Sequence, residues 1–338
     1  MRGAIIHAPY DIRVEERPDP TIVEPTDAIL RLSAACICGS DLWPYRGINE
    51  VRRPGPIGHE YCGIVDEVGP AVVSVKPGDF VVGGFFACDN DCPNCRAGFH
   101  NACQNFQSYD GCQAERLRVP MADGTLVATP EQPPAELIPS LLTLSDVMAT
   151  GWHAATMANV QPGMTVAVVG DGAVGLCGVL AAHQKGAARI IAMSRHARRQ
   201  ELAREFGATD IVEERDQAGV DAIRALTDGV GADAVLECVG TGASMIQAIG
   251  SCRAGGMVGF VGAPHGVELP IREMFTRNVG VRGGMAPVRA YLPQLMDLVL
   301  RGVIQPGKVF DHLLPLEQAA DGYAAMDERR AIKVLLTL

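Results

Sequence analysis

Long apolar segments are missing from this sequence. No run of about 18 apolar residues occurs among its 338 residues, so we expect no membrane-spanning helix. The N-terminal stretch MRGAIIHAPYDIRVEERPDP becomes charged after only a few apolar residues, which makes a secretory signal peptide improbable. We therefore expect a cytoplasmic protein.

Positive charge is also scarce. The chain has 29 Lys and Arg residues against 39 Asp and Glu residues, and its formal net charge is −10. Because no basic stripe offsets this charge, we expect neither nucleic acid nor an anionic membrane as the main partner. Internal repeats and low-complexity segments are absent as well. The remaining composition, with 48% hydrophobic and 20% charged residues, is typical of a globular protein of two domains.

Cysteine, in contrast, is plentiful and unevenly placed. Of the 11 cysteines, four lie in the segment CDNDCPNCRAGFHNAC with the spacing Cys88-x3-Cys92-x2-Cys95-x7-Cys103. Without a secretory signal, a disulfide scaffold is improbable. Thiolates at short spacings suit tetrahedral zinc, whereas the alternative, a redox pair at Cys92 and Cys95, lacks a thioredoxin-like strand and helix around it. We predict a structural zinc site closed by these four cysteines.

The chain has two parts with different patterns of predicted secondary structure. Residues 1 to about 130 contain short β-rich runs between turn signals such as KPGD, which predicts a barrel-like β unit. From about residue 160, strand-like and helix-like segments alternate, and this pattern predicts a parallel, doubly wound sheet. The last residues read as a strand, a helix that begins near Leu316, and a closing strand.

The first strand–helix junction of the second half carries GDGAVG at residues 170–175. In a dinucleotide-binding turn, Gly170 permits the sharp turn, Gly172 lets the backbone approach a pyrophosphate, and Gly175 lets the helix lie close to the sheet. The helix N-terminus would offer free N–H groups to the phosphates. A glycine turn that serves packing alone is the alternative, but the flanking strand and helix favour dinucleotide binding.

The acidic residue that usually binds the adenosine ribose is missing from the end of the second strand. Ser194, Arg195 and His196 stand there, and no carboxylate follows until Glu201. A 2′-phosphate would meet no repulsion from serine, and a guanidinium can pair with it. We predict that the protein prefers NADP to NAD, with a difference in binding free energy of about 2–4 kcal/mol. The alternative is a solvated basic helix start, with both cofactors used.

A second candidate metal site lies in the β-rich half. The segments AACICGSDLW and GPIGHEYCGIVDEVG contain Cys38, His59 and Glu60, and mixed sulfur, nitrogen and oxygen donors are typical of catalytic zinc. Each residue alone is more often structural, with Cys38 as a small core residue and His59 as a turn histidine. Their spacing is therefore only suggestive of a metal site.

Taken together, these motifs resemble the medium-chain zinc-dependent alcohol dehydrogenases. GHEYCGIVDEVG is similar to that family's zinc-binding signature, CICGSD to its first catalytic-ligand segment, and LSDVMATGWHAA to the segment that enters its cofactor domain. The nearest branch resembles bacterial formaldehyde and secondary alcohol dehydrogenases. The resemblance covers essentially the whole chain and implies an α/β fold. It would have a GroES-like β-barrel catalytic domain (1–149 and 287–338, with the zinc lobe at about 88–103) and a Rossmann cofactor domain (150–286).

The resemblance also implies roles for individual residues. Cys38, His59 and Asp146 would bind the catalytic zinc, and Glu60 would be a nearby carboxylate that can join the metal. Ser40 would hydrogen-bond the substrate oxygen and start a proton relay. The cofactor contacts implied by the resemblance and by the motifs above are Thr150, Gly170, Gly172, Ala173, Val174, Gly175, Ser194, Arg195, Arg199, Val261, Ala263 and Lys333.

Two positions depart from the family pattern. Three residues separate Cys88 from Cys92, where the family usually has two. Trp43 stands three residues after Ser40, where many members carry the histidine that ends the relay, and its indole N–H can only donate. Water would then finish the relay, or turnover would be slow, or Trp43 would belong to the substrate pocket.

The expected activity is zinc-dependent transfer of a hydride between a primary or secondary alcohol and NADP, or the reverse reaction with an aldehyde or ketone. Two zinc ions per chain and a homotetramer, or else a homodimer, are expected. The segment GGMVGFVG (255–262), near the domain edge, is a candidate to extend the sheet across subunits. The alternatives are a zinc-free quinone or enone reductase and a non-catalytic zinc-binding module. Counting the zinc ions per chain separates these functions. About two zinc ions support the dehydrogenase, none supports the reductase, and one supports the non-catalytic module.

Overall fold

The computed structural model describes residues 1–338, which fall into two units. Unit 1 consists of Met1–Ala149 and Pro287–Leu338, and unit 2 consists of Thr150–Ala286. No helix in the structure is both long enough and apolar enough to cross a membrane.

The chain contains eighteen strands and twelve α-helices. The strands are β1 (Arg2–Ala8), β2 (Asp11–Glu16), β3 (Ala28–Cys36), β4 (Gly55–Pro56), β5 (Tyr61–Val68), β6 (Phe80–Gly83), β7 (Phe86–Ala87), β8 (Gln107–Ser108), β9 (Arg116–Val119), β10 (Leu126–Ala128), β11 (Thr165–Val169), β12 (Arg189–Met193), β13 (Asp210–Val212), β14 (Ala232–Glu237), β15 (Cys252–Phe260), β16 (Gly280–Gly283), β17 (His312–Pro315) and β18 (Val334–Thr337). The helices are α1 (Leu42–Tyr45), α2 (Pro93–Arg96), α3 (Ala122–Thr125), α4 (Ile138–Thr143), α5 (Val147–Met157), α6 (Ala173–Gln184), α7 (Ala197–Glu205), α8 (Asp216–Leu226), α9 (Gly242–Ser251), α10 (Ile271–Arg277), α11 (Val288–Leu300) and α12 (Ala319–Asp327).

A seven-stranded sheet organises unit 1. Its order is β10-β6-β5-β3-β18-β17, and β9 also pairs with β3. Strand β3 is buried along most of its length, as its nearly continuous apolar sequence AILRLSAAC predicts. It pairs antiparallel with β5, with Ala28 opposite Val68 and Ala35 opposite Tyr61. The pairing places the residues that follow β3 beside the residues that precede β5.

Unit 2 contains a six-stranded parallel sheet of order β13-β12-β11-β14-β15-β16. This is the strand order of a Rossmann dinucleotide-binding sheet, in which the first strand lies at the centre. Helix α6 is apolar on nearly all sides and contacts β11, β12 and β14, as expected for a helix buried against the sheet. The predicted fold class, a GroES-like β-domain with a doubly wound parallel sheet, is therefore confirmed.

The segment predicted to lie near the domain edge is one strand away from the edge of the sheet. The segment GGMVGFVG (255–262) belongs mainly to β15, which lies between β14 and β16. The edge strand is β16, only four residues long and rich in glycine. Such a strand carries too little apolar alternation to be recognised in the sequence.

Candidate active site and cofactor site

The four predicted ligands of the catalytic metal lie together in unit 1. Cys38 follows β3, His59 and Glu60 precede β5, and Asp146 comes directly before α5. One donor atom from each residue lies within 4.8 Å of the others. Asp146 Oδ2 is 3.5 Å from Cys38 Sγ and 3.4 Å from His59 Nε2. The β3–β5 pairing thus brings the two signature segments to one place.

The chemistry of this cluster fits zinc. Thiolate, imidazole and carboxylate donors together are typical of a catalytic zinc site. Burial, together with the carboxylates of Asp146 and Glu60, raises the pKa of Cys38 to about 11. Burial alone would lower the pKa of His59, but Asp41 and Cys38 hold it well above its usual value of 6.5. The buried cluster thus has a negative potential, which a divalent cation would offset.

Asp41, which was not among the residues predicted from the sequence, contacts His59 on the side away from Asp146. Its Oδ1 lies 3.3 Å from His59 Nδ1, and its Oδ2 accepts hydrogen bonds from the Cys38 N–H (2.9 Å) and from Gln113 Nε2 (3.2 Å). Tyr323 in turn donates to Gln113. A carboxylate on the outer nitrogen of a metal-binding histidine fixes the ring tautomer and orientation. The signal in the sequence is the position of Asp41, three residues after Cys38 in the same turn.

Glu60 is held by a buried cation. Its Oε1 accepts a 2.6 Å hydrogen bond from Lys333 Nζ, and its Oε2 accepts one from the Cys36 thiol. Lys333 Nζ also donates to Ile37 O at 3.1 Å. The side chains of Glu60 and Lys333 are 0% and 1% exposed, so each charge depends on the other. The predicted contact between Lys333 and a cofactor phosphate stays a prediction.

The predicted relay residues lie next to the cluster along the chain. Ser40 is exposed in the turn between Cys38 and α1, and its carbonyl oxygen accepts the Trp43 N–H at 3.1 Å. Trp43 lies within α1 and is partly buried. The exposed side chain of Ser40 therefore lies two residues along the chain from the candidate metal ligand Cys38.

The cysteine-rich lobe contains a second cluster, with one member that differs from the prediction. Asp89, Cys92, Cys95 and Cys103 have donor atoms within 4.8 Å of one another. Cys88 does not belong to this cluster, because its thiol donates instead to Gly124 O at 3.0 Å. The spacing from Asp89 to Cys92 is two residues, so Asp89 occupies the position where the family pattern places its first cysteine. The unusual three-residue spacing between Cys88 and Cys92 was the signal for this exchange.

Hydrogen bonds fix the Asp89 carboxylate. Its Oδ1 accepts the backbone N–H groups of Asp91 (2.8 Å) and Cys92 (2.9 Å), and its Oδ2 accepts Asn105 Nδ2 (2.7 Å). Burial acts to raise the pKa of Asp89, but these donors hold it well below its usual range. The carboxylate is therefore ionised and oriented, as a metal ligand requires. Three cysteines and one aspartate form a donor set that fits structural zinc.

The glycine-rich turn of unit 2 has the geometry of a dinucleotide-binding turn. Gly170 has a φ of +120°, a conformation that favours glycine. A Cβ on Gly172 would have no atom within 4 Å, whereas a Cβ on Gly175 would collide with Gly170 O. Open space at Gly172 suits the close approach of a pyrophosphate. Helix α6 begins at the next residue, Ala173, without a side-chain cap, which leaves its first N–H groups available for phosphate.

The other predicted cofactor residues of unit 2 also follow its strands or lie in α5. Thr150 is buried within α5. Val261 and Ala263 follow β15, and the Val261 N–H donates to Glu237 O at 2.9 Å. Because carboxyl ends of parallel strands share one sheet edge, Val261 and Ala263 lie at the same edge as the glycine-rich turn. Their contacts with a cofactor stay predictions.

The end of the second strand of this sheet does have a carboxylate beside it. Ser194 follows β12 and donates through its Oγ to Asp171 Oδ2 at 2.7 Å. Arg199 Nη1 lies 3.2 Å from Asp171 O and 3.4 Å from Asp171 Oδ1, while Arg195 Nε donates to Glu213 O. Asp171 lies within the GDGAVG motif, but the motif alone gives no role to its side chain. Its proximity to Ser194 depends on the folded turn.

Comparisons with known proteins agree with both units. The family model of the alcohol dehydrogenase GroES-like domain matches residues 24–131, and that of the zinc-binding dehydrogenase matches residues 173–301. The chain is 34% identical over 349 residues to a zinc-type alcohol dehydrogenase B of Aspergillus flavus, covering 99% of this chain and 81% of that protein. It is 37% identical over 340 residues to a probable zinc-binding alcohol dehydrogenase of Mycobacterium tuberculosis, covering 97% and 86%. The solved structure of an alcohol dehydrogenase from Thermus sp. ATN1 has a TM-score of 0.91 at 34% identity, covering 100% of this chain and 99% of that chain.

Proposed function

Since this chain belongs to the medium-chain zinc-dependent alcohol dehydrogenase family, we propose which of its residues carry out hydride exchange between an alcohol and a nicotinamide cofactor. Cys38, His59 and Asp146 hold the catalytic zinc, with Glu60 beside it. The observation that supports this assignment is the convergence of these four side chains from three chain segments within 4.8 Å.

When bound, zinc supplies Lewis acidity to the alcohol oxygen and the nicotinamide supplies the hydride acceptor. Asp41 keeps the Nδ1 side of His59 engaged, so that Nε2 faces Asp146 and Cys38. Ser40 Oγ accepts the alcohol proton. Because Ser40 is exposed and Trp43 cannot accept a proton, the proton passes from Ser40 to water.

The substrate is a primary or secondary alcohol, with the corresponding aldehyde or ketone in the reverse direction. Substrates of similar proteins differ through a few pocket side chains, so the fold alone does not select among alcohols. Activity assays with primary, secondary and polyol substrates, each with NAD and NADP, identify the preferred class.

NADP is the preferred cofactor in this proposal. Ser194 brings no charge to the end of β12, and Arg195 is an exposed guanidinium directly after it. The carboxylate of Asp171 beside Ser194 works against a 2′-phosphate, so the preference falls at or below the lower end of the range of about 2–4 kcal/mol inferred from the sequence. A ratio of kcat/KM values that favoured NAD tenfold would contradict this part of the proposal.

The second metal of the proposal is a structural zinc in the lobe, bound by Asp89, Cys92, Cys95 and Cys103. For assembly we propose a homotetramer, with a homodimer as the alternative. The observation that supports an assembly is the edge position of β16, since an edge strand presents unpaired backbone groups to another chain. Light scattering that gave the 35.8 kDa of a single chain would exclude both assemblies.

The test of the catalytic assignment is Asp146→Ala. We expect this variant to lose one of two zinc ions per chain and nearly all turnover while its circular dichroism spectrum stays unchanged. Glu131→Ala, which removes an exposed carboxylate of unit 1, is the control and should keep both metals and full activity. A normal kcat in metal-counted Asp146→Ala protein would contradict the assignment. A wild-type protein without zinc would favour the quinone or enone reductase.

A further inference from the structure

Asp171 brings a carboxylate to the end of the second strand of the sheet, although it belongs to another part of the chain. It belongs to the glycine-rich turn between β11 and α6, yet its Oδ2 lies 2.7 Å from Ser194 Oγ at the end of β12. The side chain of Asp171 is 16% exposed, and that of its partner Arg199 is 11% exposed. Asp171 is therefore a fixed, mostly buried group and not a mobile surface acid.

These contacts determine what Ser194 can offer to a cofactor. An ionised carboxylate only accepts hydrogen bonds, so the Ser194 hydroxyl must give its proton to Asp171. The same Ser194 Oγ accepts the His196 N–H at 3.2 Å. With its proton committed, Ser194 has no donor left for a phosphate oxygen.

The two neighbouring arginines differ in how far they are engaged. Arg199 contacts both the carboxylate and the carbonyl oxygen of Asp171, so part of its positive charge is offset. Arg195 donates through Nε to Glu213 O at 3.2 Å and lies in the exposed part of the turn. The charge next to Ser194 is therefore mixed, because the carboxylate of Asp171 offsets part of the positive charge of the arginines.

We infer that Asp171 is a specificity-determining residue, whose carboxylate disfavours a 2′-phosphate and accepts a ribose hydroxyl, so that NAD remains a usable cofactor. The inference rests on the proposed dinucleotide site in unit 2. It moves the discriminating acid from the end of the second strand to the glycine-rich turn. Repulsion of the wrong ligand and attraction of the right one then come from a single carboxylate.

The test is dinucleotide binding by Asp171→Asn, which keeps the shape of the side chain and removes its charge. Titration of tryptophan fluorescence with NADPH and with NADH gives two dissociation constants for each protein. We expect NADPH to bind about tenfold more tightly to the variant and NADH about threefold more weakly. Competition by 2′,5′-ADP should strengthen in parallel, because it carries the same phosphate.

Two further variants separate charge from structure. Asp171→Ala also removes the charge and should shift both constants in the same directions, while thermal unfolding shows whether either variant is folded. Asp221→Asn removes an exposed carboxylate on α8 of the same unit and should leave both constants unchanged.

Each result has a defined meaning. Weaker NADPH binding in folded Asp171→Asn would show that Asp171 positions Ser194 and Arg199 for the phosphate, and it would overturn the inference. Unchanged NADPH binding would overturn it too. If wild-type protein bound neither NADPH nor NADH, the proposed dinucleotide site would itself be wrong.

Discussion

We predict that Asp89 is required for metal binding in the lobe and that its neighbour Cys88 is not. Apparent binding free energies of structural zinc are about 10–16 kcal/mol, so one of four ligands accounts for about 3 kcal/mol, or roughly 100-fold in metal affinity. We therefore expect Asp89→Ala to lose the lobe metal. Cys88→Ser should keep it, because a serine hydroxyl can donate to Gly124 O in place of the thiol.

The loss should also reduce stability. The buried cluster of the lobe consists of Phe86 and the four cysteines, with Phe85 packed against it, so it has little apolar core apart from sulfur. Binding of the metal to the folded lobe is then a large part of the lobe's folding free energy. We expect the thermal midpoint of Asp89→Ala to fall clearly below that of Cys88→Ser.

The assay combines metal counting with cobalt substitution. Absorption from thiolate-to-cobalt charge transfer grows with the number of thiolate ligands, so Asp89→Cys should gain intensity and Cys88→Ser should not lose any. Asn105→Ala is the control for the hydrogen bonds of Asp89, since it removes one donor to Oδ2 and no ligand. Loss of lobe metal in Cys88→Ser together with its retention in Asp89→Ala would refute the reasoning.

Two other predictions concern Asp41 and His153. Asp41→Asn should weaken metal binding at the catalytic cluster by about 10–100-fold without affecting the lobe, as measured by competition with a chelator. Burial, followed by the charge of Arg282, lowers the pKa of His153 to about 4. An unfolded chain with a histidine pKa of about 6.5 takes up a proton first, so stability is full above that pH and falls toward pH 4 by up to about 3 kcal/mol. His153→Gln should flatten this loss in denaturant titrations at pH about 4.5 and 7, and an unchanged pH profile would contradict the assignment.

The sequence was informative wherever a motif is local. The strand, glycine turn and helix around residues 165–184 could be predicted because each element has its own periodicity and the turn has its own glycines. The convergence of Cys38, His59 and Asp146 could be predicted only through the resemblance, since their spacing along the chain does not reveal the β3–β5 pairing.

The rest required coordinates because it depends on contacts between distant segments. Asp171 lies within a quoted motif, but only the folded turn brings it to Ser194. Asp89 lies one residue from a cysteine that seemed the better ligand, and the choice depends on which side chain Gly124 O engages. The edge strand β16 is too short and too glycine-rich for its periodicity to indicate a strand.

The pairing of β18 with β3 joins Leu335 to Cys36 and so spans almost the entire chain. During synthesis, Thr150–Ala286 is continuous and can fold as soon as it leaves the ribosome, whereas unit 1 must wait for its last strand. Glu60 has no buried cation until Lys333 has been synthesised, so the metal cluster of unit 1 is completed later than the fold of unit 2. A nascent chain stalled before residue 330 would therefore present a closed dinucleotide fold next to an unfinished, aggregation-prone sheet.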